Sequence, residues 1–414
     1  MTNAFDPILD RLRPGMTVYL PGMSGESLGL YAALAARPDT AAGVRFVGVH
    51  FPGINDNDYL SLHPDCSIRG YFMTPSLRRG LREGRGELMP LDYPRIWRDL
   101  AENVNVDLAV AHVAPPDADG RCSLGPCVDF LPAVWDKAAC KVAHINPEMQ
   151  ATRGSFSVST ADFDLAVESA NPLVEFPGQP PDTVSRQCAA HVAGIVRDGD
   201  SIQLGVGKLP AAILAALAGH RGLRVLSGLV SPQLLPLLDS GAIDGPGAVQ
   251  TGVALGDSAF YRRVASDERF FFRPVCDTHN LRRLAAADGF CAINSAVAVD
   301  LLGQVNADWL DGRLVAGVGG LPVFVEAANL SAGGRSLICL PATASGGAVS
   351  RIVPRLDTLI TIPRHAADEV VTEHGVAQLG GLDMEARAQA LIAIAAPEHR
   401  EELARSWRQL KVKI

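Results

Sequence analysis

Residues Asp198–Gln233 read DGDSIQLGVGKLPAAILAALAGHRGLRVLSGLVSPQ, and this stretch decides the fold. A charged turn leads into Ser201-Ile-Gln-Leu204, then a glycine turn at Gly205-Val206-Gly207, an Ala/Leu-rich segment, and a second apolar run at Leu223–Leu226. Strand, tight turn, helix and strand in succession make a βαβ unit, whose two parallel strands are joined by a helix lying on the sheet. Pro210 falls in the first helical turn, where its missing N–H costs nothing. The segment closes on Gly228, Ser231 and Pro232 with no acidic side chain; the nearest carboxylates are Asp200 upstream and Asp239 downstream.

The same alternation runs outward in both directions. Strand-like runs occur as TVYL from Thr17, VRFVGVHF from Val44, DLAVAHV from Asp107, KVAHI from Lys141, RVLSGLV from Arg224, FCAINSAVAVD from Phe290, SLICLP from Ser336 and TLITI from Thr358. Helical composition occupies Gly29–Ala36, Ala189–Val196, Ala211–Leu217 and Ala386–Ile394. Strands alternating with helices predict an α/β fold with mainly parallel sheets covered on both faces. RPGMTVYLPGMSGESLGLYAALA from Arg13 and RDGDSIQLGVGKLPAAILAALA from Arg197 share the order turn, strand, glycine loop, helix, at an offset of 184 (197 − 13). Between them lies the Pro-rich stretch Asn171–Pro181, which reads as a linker. Two related α/β domains are expected, 1–180 and 186–414, packed around a shared cleft, the second carrying the glycine loops.

Composition narrows the function classes. With 414 residues the chain is long enough for two full cores. Its net charge is −8, and only five of its 37 basic residues are lysines (137, 141, 208, 411, 413), the arginines being scattered. Neither nucleic acid nor an anionic membrane is an expected partner. No run reaches the ~18 apolar residues of a membrane helix, and the N-terminus lacks a signal-peptide core. Eight dispersed cysteines without a CxxC pair favour free thiols over disulfides or a zinc site, so a cytoplasmic protein with no metal is expected.

Three glycine loops stand at apolar strand ends: Gln203–Pro210, Ala316–Phe324 and Leu340–Arg351. Glycine lets backbone approach a ligand closely, and N–H groups at a helix start favour anionic oxygen. The first loop is neither a GxGxxG fingerprint nor a Walker loop. Together the three suggest backbone surrounding an extended ligand at the carboxyl ends of parallel strands.

The chain resembles the acetyl-CoA hydrolase/transferase family, the branch of class I CoA-transferases that includes 4-hydroxybutyrate and acetate CoA-transferases, with the superfold shared by that group. The resemblance is carried by Glu26, Gly70–Ser76, Ala114–Gly120 with Ser123 and Gly125, Asn146-Pro147, Gly154–Phe156, the Gln203–Pro210 loop, Ile293-Asn294, Val299-Asp300 and Gly303-Gln304. It continues through Gly317–Gly320, Ala328–Ser331, Gly333-Gly334, Leu340–Pro354 and Val371–Ala377. It implies an acyl-CoA substrate, no covalently bound cofactor, a small carboxylic acid as possible second substrate, and a homodimer or larger homo-oligomer. It also implies a glutamate that attacks the acyl-CoA and becomes a glutamyl-CoA thioester. In the family that glutamate sits in GIH-S/T-E-M-x-S-D-G. The corresponding run here is Arg224–Gln233, in which Ser227 and Ser231 match and Gly228 holds the glutamate position. Further departures are Leu321 and Val323, where a Gln and an Asp are usual, and His374 in place of a Tyr.

The resemblance assigns CoA or thioester contacts to Gly205, Val206, Gly207, Gly317, Gly319, Gly320, Thr343, Gly346 and Gly347. Gln203 and Asn294 are carbonyl-orienting amides. Glu26 is either a general base or an acid capping the following helix, and His374 either an acid–base group or a surface residue. His50 could line the acyl pocket or be a buried, hydrogen-bonded histidine; Cys291 reads as packing; Ser227 and Ser231 would need a base to act as nucleophiles. Asp56, Asp58 and His63 read as a solvated loop. The expected activity is chemistry on a CoA ester without a glutamyl intermediate: hydrolysis, decarboxylation or C–C/C–X cleavage. The alternatives are CoA transfer using a substitute acid such as Glu26, and acyl-CoA binding without catalysis. Leu321, Val323 and His374 are read as signs of a rebuilt pocket.

Overall fold

A computed structural model describes residues 3–414. The chain forms two compact units. The first holds the chain up to Pro177, with Gln250–Thr278 and Val315–Gly319; the second holds Gly178–Val249, His279–Leu314 and Gly320–Ile414. The Pro-rich stretch contains the first crossing, at Pro177/Gly178, but the chain then returns to the first unit twice, which a single linear boundary does not describe.

The first unit is built on a seven-stranded sheet: β1 (Thr17–Tyr19), β2 (Arg45–Val47), β3 (Ser67–Gly70), β4 (Gly86–Leu88), β5 (Leu108–Val113), β6 (Cys140–Ile145) and β7 (Leu165–Glu168). Their order is β4-β3-β2-β1-β5-β6-β7, parallel throughout. All six residues of β5 are buried, as a continuous apolar run at the centre of a parallel sheet requires. Helix α1 (Leu28–Ala36) is capped by Ser27, whose Oγ accepts the Leu30 N–H at 3.1 Å. Its Leu30 and Leu34 pack with Phe5, Phe46, Val110 and Val142.

In the second unit, α2 (Thr183–Ile195) precedes β8 (Ser201–Leu204), α3 (Lys208–Ala216) and β9 (Arg224–Leu226); then come β10 (Phe290–Ser295), α4 (Leu321–Leu330), β11 (Arg335–Cys339), β12 (Glu369–Thr372) and β13 (Gly375–Gln378). The strands run β9-β8-β10-β11-β12-β13, parallel except for the terminal β12–β13 hairpin. Strands β1 and β8 start 184 residues apart (201 − 17), and each lies inside its sheet between the next strand in the chain and a later one. The internal repeat is thus a repeat of topology. Buried Val299, Val325, Ile338, Val370, Leu391 and Trp407 share one core of this unit.

Two local expectations are corrected. TLITI at Thr358–Ile362 is no sheet strand: Leu359 and Ile360 are exposed, and only Ile362 makes a bridge, to Val305. The sheet position beside β11 goes to Glu369–Thr372, whose Val370 and Val371 are fully buried. The Gly319–Phe324 loop is half helix, because α4 starts at Leu321 with Pro322 in its first turn. Strands β3, β4 and β7 are only three or four residues long, too short for an alternating pattern to mark them in the sequence.

Candidate functional site

Gln203 and Asn294 are brought together on adjacent parallel strands. Gln203 pairs in register with Ala292, and the Asn294 amide donates to Gln203 Oε1 at 3.0 Å. The Gln203 NH2 has no protein acceptor among the described residues. Beyond Leu204 the chain turns through Gly205-Val206-Gly207 into α3. Gly207 has φ 125° and ψ −174°, a region only glycine occupies comfortably, and no side chain caps the helix that follows. A Cβ at Gly205 or Gly207 would meet nothing within 4 Å, so this turn borders open space.

Strand β9 leads from Leu226 into Ser227 and Gly228. The Ser227 hydroxyl donates to Leu204 O at 2.8 Å, and Ser231 Oγ donates to Gln233 Oε1 at 3.3 Å, so both serines already hold partners. Asp200 is committed elsewhere, forming a buried ion pair with Arg335 and accepting the Arg197 N–H at 2.7 Å. Asp239 is exposed at the end of the helix Leu235–Asp239. Neither acid is among the nearest neighbours of a Cβ at residue 228. The neighbour of Gly228 is instead His279: a Cβ at 228 would lie 2.5 Å from His279 Cε1 and 2.9 Å from Nε2. His279 is 4% exposed, and its ring centroid lies 4.7 Å from that of Phe324. Burial pushes its pKa down to about 3, so the imidazole is neutral. No sequence pattern ties positions 228 and 279; only the fold brings them together.

The third glycine loop is a short antiparallel hairpin, Thr343-Ala344 against Val349-Ser350. Its tip, Ser345-Gly346-Gly347, has φ 52°, 68° and 99°, which explains the two glycines. Ala344, Ser345, Ser350, Arg351, Asn306 and Trp309 help line a cavity of about 580 Å³. Arg351 has no carboxylate partner among the described residues; its Nη1 donates to Val297 O at 3.4 Å, and its buried Nε has no acceptor among them. Nearby, Glu373 accepts the Ala342 N–H at 2.8 Å and so ties the β12–β13 turn to the start of the hairpin. His374 is exposed in that turn, 3.8 Å from the carboxylate of Glu373.

Leu321 and Val323 are not pocket residues. Val323 is 5% exposed and packs with Leu226, Leu284, Phe290 and Phe324, while Leu321 lies against the neighbouring core. An apolar residue in the first turns of α4 serves the core that helix covers. Cys291 is fully buried on β10, and desolvation pushes its thiol up to about 12, which makes it a packing residue.

Glu26, Gly317 and Gly319 belong to the first unit. Glu26 is 1% exposed and does not cap α1; Ser27 does. Its carboxylate accepts three hydrogen bonds: Asn55 Nδ2 at 2.9 Å, Asn57 Nδ2 at 3.0 Å and Tyr59 Oη at 3.0 Å. Part of the polar segment read as a solvated loop therefore closes over Glu26, whereas its Asp58 bridges to Arg79 at 2.7 Å. His50 is partly buried, stacks on Tyr59 at 5.5 Å, and lines a cavity of about 130 Å³ with Phe46, Asn55 and Phe72. Burial lowers its pKa against the opposing influence of Glu26. At Gly317 a Cβ would lie 2.3 Å from Tyr71 O, so backbone packing alone demands glycine; Gly319 has φ 67°.

Among the described residues, no cluster of three His, Cys, Asp or Glu could hold a metal ion, and no helix is long and apolar enough to cross a membrane. Residues 5–174 match the model of the acetyl-CoA hydrolase/transferase N-terminal domain, and residues 256–407 match that of the C-terminal domain. The chain belongs to the acetyl-CoA hydrolase/transferase family. A 4-hydroxybutyrate coenzyme A transferase from Clostridium kluyveri is 32% identical over 400 residues, covering 93% of this chain and 92% of that protein. An acetyl-CoA hydrolase from Saccharomyces cerevisiae is 29% identical over 73% of this chain and 65% of its own length. The crystal structure of RipA from Yersinia pestis superposes with a TM-score of 0.91 at 27% identity, covering 99% of this chain and 97% of that one. This chain is therefore an enzyme of the family that acts on CoA esters.

Proposed function

We propose that this enzyme acts on an acyl-CoA thioester without a glutamyl-enzyme intermediate, by hydrolysis, decarboxylation or cleavage of a C–C or C–X bond in the bound ester. The observation that carries the reading is at residue 228, where no carboxylate stands and the space for one is filled by the His279 imidazole. In the hydrolytic form, a water oxygen bonds to the thioester carbonyl carbon and the C–S bond breaks; one water proton goes to the departing CoA thiolate and the other is released to solvent as the acid ionises to its carboxylate. Gln203 and Asn294 form an amide pair whose free NH2 would donate to the carbonyl oxygen as negative charge develops there. The open turn Gly205-Val206-Gly207 and the hairpin bearing Thr343, Gly346 and Gly347 would contact CoA, with Arg351 meeting one of its phosphates. The same proposal includes a homo-oligomer in a reducing compartment, in keeping with eight free cysteines.

The transferase named among the relatives favours a second reading, CoA transfer to a small carboxylic acid with Glu26 as substitute nucleophile. Incubating the full-length enzyme with a panel of acyl-CoA esters, with and without acetate, separates the two. Thioester loss or CO2 release at the same rate without acetate is the expected result. Exchange that requires acetate would reject the first reading in favour of the second, and tight binding with no turnover would reject both.

A further inference from the structure

The Nε2 end of the His279 imidazole stands against two glycines. A Cβ at Gly228 would come within 2.5 Å of Cε1 and 2.9 Å of Nε2. A Cβ at Gly320 would come within 2.6 Å of Nε2 and 2.8 Å of Cδ2, as well as 2.7 Å from Phe324 Cε2. Real Cβ contacts below 3.0 Å essentially do not occur, so a side chain at 228 requires the ring to move. The ring has little room for that: its Nε2–Cδ2 edge stands against Gly320, Phe324 packs beside it, and the residue is 4% exposed.

We propose that His279 closes the nucleophile position: the imidazole and any side chain at 228 are mutually exclusive, and the Gly228–His279 pair sets which class of reaction this enzyme performs. This rests on the non-glutamyl reading above. Loss of an acid at 228 is then half of a coupled change. The freed volume is occupied by a ring rather than left as a void, and the neutral imidazole needs no counter-ion there. Restoring a carboxylate at 228 alone should fail, because the glutamyl Cβ would stand only 2.5 Å from Cε1. With His279 cut back, a carboxylate at 228 has space to act. Its oxygen would bond to the thioester carbonyl carbon and expel CoA thiolate. The thiolate would then attack the glutamyl carbonyl, releasing the acyl group as a carboxylate and leaving a glutamyl-CoA thioester.

The experiment uses six full-length proteins: wild type, G228A, G228E, H279A, G228A/H279A and G228E/H279A. Each is melted, then assayed for exchange of labelled acetate into acyl-CoA and for inactivation by borohydride after acyl-CoA treatment. G228A and G228E should melt several degrees below wild type, and the added cost of either should vanish in the H279A background. G228E should show no exchange, while G228E/H279A should exchange at least ~10-fold above it and become borohydride-sensitive only after acyl-CoA. Should G228E not fold, the G228A cycle measures the same contact. Strictly additive melting shifts, or exchange by G228E alone, would overturn the proposal. So would non-additive shifts with no exchange in G228E/H279A, which would refute the control of reaction class. Acetate exchange by the wild type would instead refute the non-glutamyl reading, while the melting cycle still decides the packing claim.

Discussion

Asp129 offers a sharp test of how burial acts in the first unit. It is 5% exposed, adopts φ 40°, and its Oδ2 has no hydrogen-bond partner among the described residues. Desolvation raises its pKa to about 8. Asparagine tolerates the same backbone region, so Asp129→Asn keeps the shape of the protonated acid and removes the titration. Below the ordinary carboxylate range near 3.9 both folded and unfolded chains hold the proton. Between there and pH 8 only the folded chain holds it, so this group's contribution to stability falls as pH rises, by up to about 1.4 kcal/mol per unit. From pH 5 to pH 7 the stability of wild type relative to Asp129→Asn should therefore drop by about 3 kcal/mol. Urea unfolding of both proteins at pH 5, 6 and 7 measures it, since other titrating groups cancel in the difference. A difference that stays constant across that range refutes a buried, protonated Asp129.

Glu26→Gln leaves at least one of the donors from Asn55, Asn57 and Tyr59 facing an NH2 group, and should cost about 1–3 kcal/mol in urea unfolding. The same variant should leave thioester turnover independent of acetate; if acetate exchange exists in the wild type and disappears here, Glu26 is the nucleophile. Asp200→Asn strips the partner from buried Arg335, and a loss of about 3 kcal/mol or more is expected by the same measurement. Arg351→Ala should weaken acyl-CoA binding roughly 10-fold in calorimetry with little change in melting temperature, because its guanidinium has no carboxylate partner among the described residues to lose.

Much of this protein is legible along the chain. The alternation of short apolar runs with Ala/Leu segments, the turn at Gly205–Gly207 and the 184-residue offset all express local rules of period and turn geometry, and each reappears in the parallel sheets and in the matching environments of β1 and β8. The family was readable for the same reason, through short motifs in a constant order. TLITI misled because an apolar run carries no information about whether a sheet has a place for it, and the place beside β11 was taken by Glu369–Thr372.

What the sequence by itself determined is therefore the scaffold, and the absence of an acid at Gly228. What only the tertiary structure decided is what surrounds the candidate residues. His279 reaches Gly228 from 51 residues further along the chain (279 − 228), and Asn55, Asn57 and Tyr59 close on Glu26 from a loop that reads as solvated. Val323 proves to belong to a core rather than a pocket once α4 forms. The physical reason is one of range. Periodicity and turn chemistry act between residues a few positions apart, whereas packing of an imidazole against a glycine, or of three donors around a carboxylate, depends on distances that exist only after the chain has folded.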